Sequence, residues 1–369
     1  MSDILNLRTR LLFCLCAALV IGACARDSTI AVPEMARFTL QHDGLEREYF
    51  VFLPSAYDGE QQYPVVFFLH GYGGSATGTE AEVTNGLTRY AEEYGYVAVF
   101  PQGTWFMSEG APGERWEVTS WNHISDAFDR GPEGPICKPD ADVFPCPPEC
   151  GNCGQCGWAS CNDDAGFLKK LAAHIGREYA VNERRTYISG FSNGAMMAHR
   201  MACEASELFA AAALVGGRVE PGFECTPAVP LPLLQINGGE DEIVPFDGRV
   251  SASGYFYSST ATTAAFWNFG AECASDTQTW MSPTIEEQVV SCTIACGGSK
   301  RESIDCVWPD GDHRWPGTRG VRGSNGYCVT DLQAASMPEQ TICVEPDYRQ
   351  DVWGSRLLFE FFDKHRGEE

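Results

Sequence analysis

The stretch Thr186-Tyr-Ile-Ser-Gly-Phe-Ser-Asn-Gly-Ala-Met-Met-Ala-His199 constrains this chain more than any other. A β-rich run, Thr186 to Ser189, meets Gly190-Phe191-Ser192-Asn193-Gly194, and a helix-forming run follows. A G-x-S-x-G pattern gains meaning only in that context, where a strand turns sharply into a helix and a serine hydroxyl is left exposed on a strained backbone. Gly190 and Gly194 leave room for strand and helix to approach. The reading makes Ser192 a nucleophile. The bland alternative is an ordinary Gly-flanked turn serine.

The rest of the chain supplies a matching α/β rhythm. Ala36 to Gln41 and Arg47 to Leu53 read as strands around His42-Asp43-Gly44, a hairpin signal. Val65-Val-Phe-Phe-Leu69 and Tyr96 to Phe100 are continuous apolar runs, the pattern of strands buried on both faces of a mostly parallel sheet. Between them Glu80 to Tyr94 has helical spacing, and Gly95 can cap it. Asp164 to Tyr179 reads as an amphipathic helix. Ala210 to Val215, Pro232 to Asn237, Gln288 to Ile294 and Glu302 to Trp308 read as later strands. Ser258 to Phe269 and Val352 to His365 read as helices. Residues from about 104 to 162 break the rhythm with Pro, Gly, Asp and six cysteines (Cys137, Cys146, Cys150, Cys153, Cys156, Cys161). They read as an insertion on the loop side of the sheet, stapled by disulfides. The expectation is one α/β domain over 36–366, with strands alternating with helices packed on both faces.

A serine nucleophile needs a base for its proton and an acid to orient that base. Where a serine elbow sits in such a fold, the acid and then the histidine follow it in sequence. Only His199, His313 and His365 lie beyond Ser192. His199 is two turns along the elbow helix and reads as a packing residue. His365 lies in a charged tail and reads as solvated. His313, in Pro309-Asp-Gly-Asp-His-Arg-Trp-Pro-Gly317, sits in a loop directly after a strand and is the expected base. Asp241, in the loop after Pro232 to Asn237, is the expected acid, with Glu240 and Asp247 as alternatives. Two backbone N–H groups should hold the developing oxyanion, one from Asn193 and one from Tyr72 in His70-Gly71-Tyr72-Gly73-Gly74. Trp121, Asn122 and Trp315 are candidate substrate walls, and each tryptophan is equally a candidate core residue. Cys150-x2-Cys153-x2-Cys156 has metal-like spacing, but in an exported chain disulfides are the favoured reading, with zinc the residual one. No metal and no cofactor is required.

The N-terminus reads as an export signal over 1–24, followed by a short linker over 25–35. Arg8 and Arg10 precede the apolar run Leu11 to Ala23, which is too short to span a bilayer. Ile21-Gly22-Ala23-Cys24 resembles a bacterial lipobox, which would attach the chain to a membrane through a lipid on Cys24. Ala23-Cys24-Ala25 equally fits ordinary signal cleavage and secretion. The expected location is therefore extracellular or, as a lipoprotein, the cell envelope. Of 17 cysteines, those beyond the leader are even in number, as disulfide pairing in an exported protein requires. The formal charge of −24 argues against a nucleic-acid partner, which needs clustered Lys and Arg. Nothing in the sequence fixes the oligomeric state.

Taken together, Leu69-His-Gly-Tyr-Gly-Gly74, Tyr96 to Gly103, Trp121-Asn122, Asn162-Asp-Asp-Ala-Gly-Phe167, Gly190 to Met197, Asp241-Glu-Ile-Val-Pro-Phe246 and His313 to Gly317 resemble the secreted polyhydroxybutyrate depolymerase and feruloyl esterase group of α/β-hydrolases. The resemblance implies a Ser192–Asp241–His313 triad, an oxyanion hole from Tyr72 and Asn193, and a Cys203–Cys225 bridge beside the elbow helix. It implies hydrolysis of polyester or polysaccharide-linked esters through an acyl-enzyme. This chain departs from the group in Asp310-Gly311-Asp312, where two carboxylates precede the base and would raise its pKa if close to it, and in the size of its Cys-rich insertion. A serine peptidase of the prolyl-oligopeptidase type shares the fold and triad order. A surface binding protein on a degenerate hydrolase scaffold is the non-enzymatic alternative.

Overall fold

The computed structural model describes residues 35–77, 86–109, 115–124, 129–269, 278–280, 290–318, 328–329, 341–342 and 352–366. The export signal, most of the linker and Cys24 lie outside the described residues, as does the first part of the helix expected from Glu80. Pro33–Glu369 forms one compact unit.

Twelve strands and five helices carry the argument. The strands are β1 (Ala36–His42), β2 (Leu45–Phe52), β3 (Tyr63–Leu69), β4 (Val97–Pro101), β5 (Thr104–Glu109), β6 (Arg115–Ser120), β7 (Val181–Phe191), β8 (Ala211–Val215), β9 (Leu233–Gly238), β10 (Gln278–Trp280), β11 (Ser291–Ala295) and β12 (Ser303–Trp308). The helices are α1 (Leu87–Tyr94), α2 (Asp164–Glu178), α3 (Asn193–Glu204), α4 (Thr260–Trp267) and α5 (Trp353–Lys364). Among the described residues the main sheet runs β1-β2-β4-β3-β7-β8-β9-β12-β11-β10. Its centre, from β4 to β12, is parallel, and antiparallel strands close both edges. This is the expected α/β-hydrolase architecture.

The apolar runs become central strands because both faces are covered. Val66 and Phe68 of β3 join a core with Leu87 and Tyr90 of α1 and Leu358 and Phe359 of α5. Val65, Phe67 and Leu69 point the other way, to Phe167 and Leu171 of α2 and Met197 and Met201 of α3. Period-two alternation thus feeds two hydrophobic layers from one strand. The β1–β2 hairpin turns at Asp43 (φ +48°) and Gly44 (φ +77°), the left-handed pair that a two-residue hairpin loop demands.

The insertion carries more regular structure than its composition suggests. It opens with the β5–β6 ribbon, paired from Thr104↔Ser120 to Glu109↔Arg115. Its six cysteines then pair among themselves as Cys137–Cys156, Cys146–Cys153 and Cys150–Cys161. The metal-like run is therefore consumed in bridges. Cys203–Cys225 is bridged beside α3, and Cys292–Cys306 joins β11 to β12.

Candidate active site

Four loops at the carboxyl ends of β3, β7, β9 and β12 converge on one point, the position where open parallel sheets present ligand-binding groups. The turn after β7 holds Ser192 at φ +53° and ψ −121°. A Cβ on Gly190 would lie 2.3 Å from the Gly194 backbone, and one on Gly194 would lie 2.2 Å from the Leu69 carbonyl oxygen. Only glycine permits strand and helix this close, which is the steric content of the pentapeptide.

His313 Nε2 lies 3.0 Å from Ser192 Oγ, and His313 Nδ1 lies 2.7 Å from Asp241 Oδ2. Asp241 is 1% exposed, and its other oxygen accepts the N–H groups of Ile243 (2.9 Å) and Val244 (2.8 Å). The carboxylate is thus aimed by its own loop. Of the alternatives, Glu240 is exposed, and Asp247 is exposed and bound to Arg249. The imidazole bridges a buried hydroxyl and a buried carboxylate, an arrangement able to take and return the serine proton. Behind it, burial pushes the Arg218 guanidinium down to about 10, so at neutral pH it is a cation, with Asp305 and Asp241 favouring that charge.

The loop after β3 is held from beneath by His70. Burial, the largest cause, lowers its pKa to about 4, so the ring is neutral. Nδ1–H donates to the Gly71 carbonyl at 2.7 Å, and Nε2 accepts the Gly103 N–H at 2.9 Å. In a trans peptide the N–H points opposite to the C=O, so fixing the Gly71 carbonyl fixes the Tyr72 N–H. Gly73 N–H donates to Thr119 O at 2.8 Å, which ties the loop to β6. Asn193 opens α3, where first-turn N–H groups have no intrahelical acceptor.

Beside Ser192 lies a cavity of about 60 Å³, walled by Tyr72, Phe144, Trp158, Met196, Tyr255 and Tyr257. Phe144 and Trp158 come from the stapled insertion. Trp158 meets Tyr72 edge-on with centroids 5.4 Å apart, and Phe144 meets it at 5.8 Å.

The expected substrate walls are elsewhere. Trp315 is 1% exposed, and its indole N–H donates to Ser355 Oγ at 2.9 Å in the core against α5. Trp121 is fully buried, its indole N–H donating to His70 O at 3.0 Å. Asn122 is buried, its N–H donating to Asp164 Oδ2 at 2.7 Å and its amide to Asn162 O at 3.1 Å. All three brace the site from behind and do not line the cavity. Asp164, the last residue of the Asn162-Asp-Asp run, also pairs with Arg47 at 2.7 Å. His365 is not solvated, since its Nε2 lies 2.9 Å from Glu302 Oε1. Asp310 is exposed, and Asp312 pairs with Arg314 at 2.8 Å. His123, Glu220 and Arg218 were not singled out by the sequence reading, and no local pattern marks them.

Comparison with known proteins adds a consistent set. The Phospholipase/Carboxylesterase family model matches residues 166–282. The protein named putative esterase NocK of Nocardia uniformis subsp. tsuyamanensis is 28% identical over 190 residues, covering 51% of this chain and 43% of that one. Feruloyl esterase B of Piromyces equi is 25% identical over 209 residues, covering 56% and 31%. The chain thus spans less than half the length of either relative. Among solved structures, an acetyl xylan esterase from Aspergillus awamori superposes with a TM-score of 0.47 at 14% identity, covering 76% of this chain and 94% of that one.

Proposed function

We propose that the chain is a serine carboxylic ester hydrolase of the α/β-hydrolase superfamily, working through an acyl-enzyme. His313 takes the Ser192 proton as Oγ attacks the ester carbonyl carbon. The carbonyl oxygen gains the negative charge and is held by the N–H groups of Tyr72 and Asn193. Collapse expels the alcohol, which receives the proton from His313. Water, deprotonated by the same imidazole, then releases the acid and restores Ser192. Asp241 keeps the Nδ1 proton in place and stabilises the imidazolium. No step needs a cofactor.

The observation that carries this reading is the Ser192–His313–Asp241 geometry on a strained elbow. The cavity beside the serine, about 60 Å³ and walled by aromatic rings, favours a small acyl group. Five disulfides among the described residues fit export into an oxidising compartment. Whether export ends in secretion or in a lipid anchor at Cys24 is read by mass spectrometry of the mature N-terminus.

Hydrolysis of p-nitrophenyl acetate by the wild type and Ser192→Ala tests the reading. Turnover lost by at least roughly 1,000-fold in the variant is expected. Equal turnover in both, or none in either, removes the esterase. A screen over polyhydroxybutyrate, methyl ferulate and acetylated xylan then assigns the substrate.

A further inference from the structure

A second buried histidine–carboxylate pair lies beside the elbow, and the mechanism above does not use it. Glu220 is fully buried and His123 is 2% exposed, with His123 Nε2 3.2 Å from both carboxylate oxygens. On the other side of the ring, His123 Nδ1 lies 3.0 Å from Asn193 Nδ2. Asn193 also donates to Trp121 O at 3.2 Å, and its Oδ1 accepts the Trp121 N–H at 2.7 Å.

The donors and acceptors fix one polarity. Because Asn193 Oδ1 faces a backbone N–H, its Nδ2 must be the group facing His123. Nε2 faces only carboxylate oxygens and donates its proton to Glu220, while Nδ1 accepts from the nearer Asn193 amide, the Trp121 carbonyl lying farther off at 3.3 Å. The chain runs from carboxylate to imidazole to the amide of the residue that follows the nucleophile. It continues through Trp121, whose indole donates to His70 O, and through His70, which holds the Gly71 carbonyl. Both expected oxyanion donors, Asn193 and Tyr72, are thereby tied to one hydrogen-bonded frame.

A buried histidine–carboxylate contact is poor evidence for stability, because desolvation offsets the attraction and apolar residues often replace such groups without loss. Fixed direction is what such a pair supplies well. A carboxylate behind an imidazole makes the far nitrogen a better acceptor and locks the ring, as carboxylates do behind metal-bound histidines. Oxyanion donors need placement within about 0.5 Å. We infer that Glu220 and His123 are positioning residues that hold the Asn193 side chain and so aim the Asn193 N–H at the oxyanion. This rests on the esterase reading of Ser192.

The test compares the wild type, Ser192→Ala, His123→Phe, Glu220→Leu and Glu220→Gln. Two rates are read: second-order modification of Ser192 by a fluorophosphonate, followed by mass, and kcat and KM on p-nitrophenyl acetate. Near-UV circular dichroism measures the folded fraction. His123→Phe and Glu220→Leu should lose roughly 10- to 100-fold in labelling rate and kcat with KM nearly unchanged. Glu220→Gln keeps an acceptor for the Nε2 proton and should recover most of that loss. Labelling of all three variants at the wild-type rate, with Ser192→Ala inert, overturns the inference and leaves the esterase standing. A loss matched by the loss of folded protein, or appearing in KM alone, also overturns it. A wild type that neither labels nor turns over removes the esterase reading and this inference with it.

Discussion

Ser192 occupies a backbone conformation, φ +53° and ψ −121°, that side-chain-bearing residues rarely adopt. Such positions cost about 1–3 kcal/mol and persist only where the surroundings impose them. Here the Ser192 N–H is held by Val215 O at 2.9 Å, and α3 begins at once. Ser192→Gly should therefore relieve strain while removing the proposed nucleophile, and should melt above Ser192→Ala, which keeps a Cβ. The expected gap is about 1 kcal/mol once the extra unfolded-state entropy of glycine is set against the relief. Calorimetry of both variants decides it, and equal melting points would mean that the strain relieved is no larger than the entropy glycine adds to the unfolded chain. At this scale Ser192, Asp241 and His313 were legible because each sits in a short motif with a fixed place in the order of the chain. Trp121 and Trp315 were not, because a residue type reveals size and polarity but not direction. Both point into the core, where each indole N–H finds an oxygen.

Among the elements, the central strands were the most legible, since burial on both faces leaves an unbroken apolar run in the sequence. The β5–β6 ribbon was not. Trp105 and Met107 are 39% and 45% exposed, so no single apolar face announces it, and its two strands pair only with each other, outside the main sheet. The stapled insertion behind it supplies Phe144 and Trp158 to the cavity. If Phe144 limits acyl length, Phe144→Ala should raise kcat/KM for p-nitrophenyl butyrate relative to the acetate by roughly tenfold, the usual worth of a methylene or two in an apolar pocket. Trp158 is left in place because its ring lies 4.9 Å from His123. An unchanged butyrate-to-acetate ratio would place the acyl group elsewhere. The Glu220–His123 pair had no sequence signal at all. Its members are 97 positions apart, and buried polar partners become visible only when the fold brings them together.

Over the whole molecule, charge and burial oppose each other as pH falls. At neutral pH the formal charge of −24 repels itself across the surface, and protonating carboxylates relieves that repulsion. Two buried histidines act in the opposite sense. Burial lowers His70 to about 4, and burial followed by the Arg218 charge lowers His199 to about 3. The unfolded chain protonates both near the ordinary value of 6.5, so between that value and the folded one the unfolded state binds more protons and stability falls on acidification. From pH 6.5 to about 5 most surface carboxylates remain ionised, and the histidine effect should dominate. His199 packs against Trp267 at 5.7 Å, away from the Ser192 turn, and can be removed without touching the candidate site. Wild-type unfolding free energy should decline towards pH 5, and the His199→Gln slope should be shallower by up to one proton, about 1.4 kcal/mol per pH unit at full effect. Urea unfolding at closely spaced pH values, with the disulfides intact, reads that slope directly. Parallel curves for the two proteins would show that His199 titrates alike in the folded and unfolded chain, and would assign any loss of stability in that window to other groups.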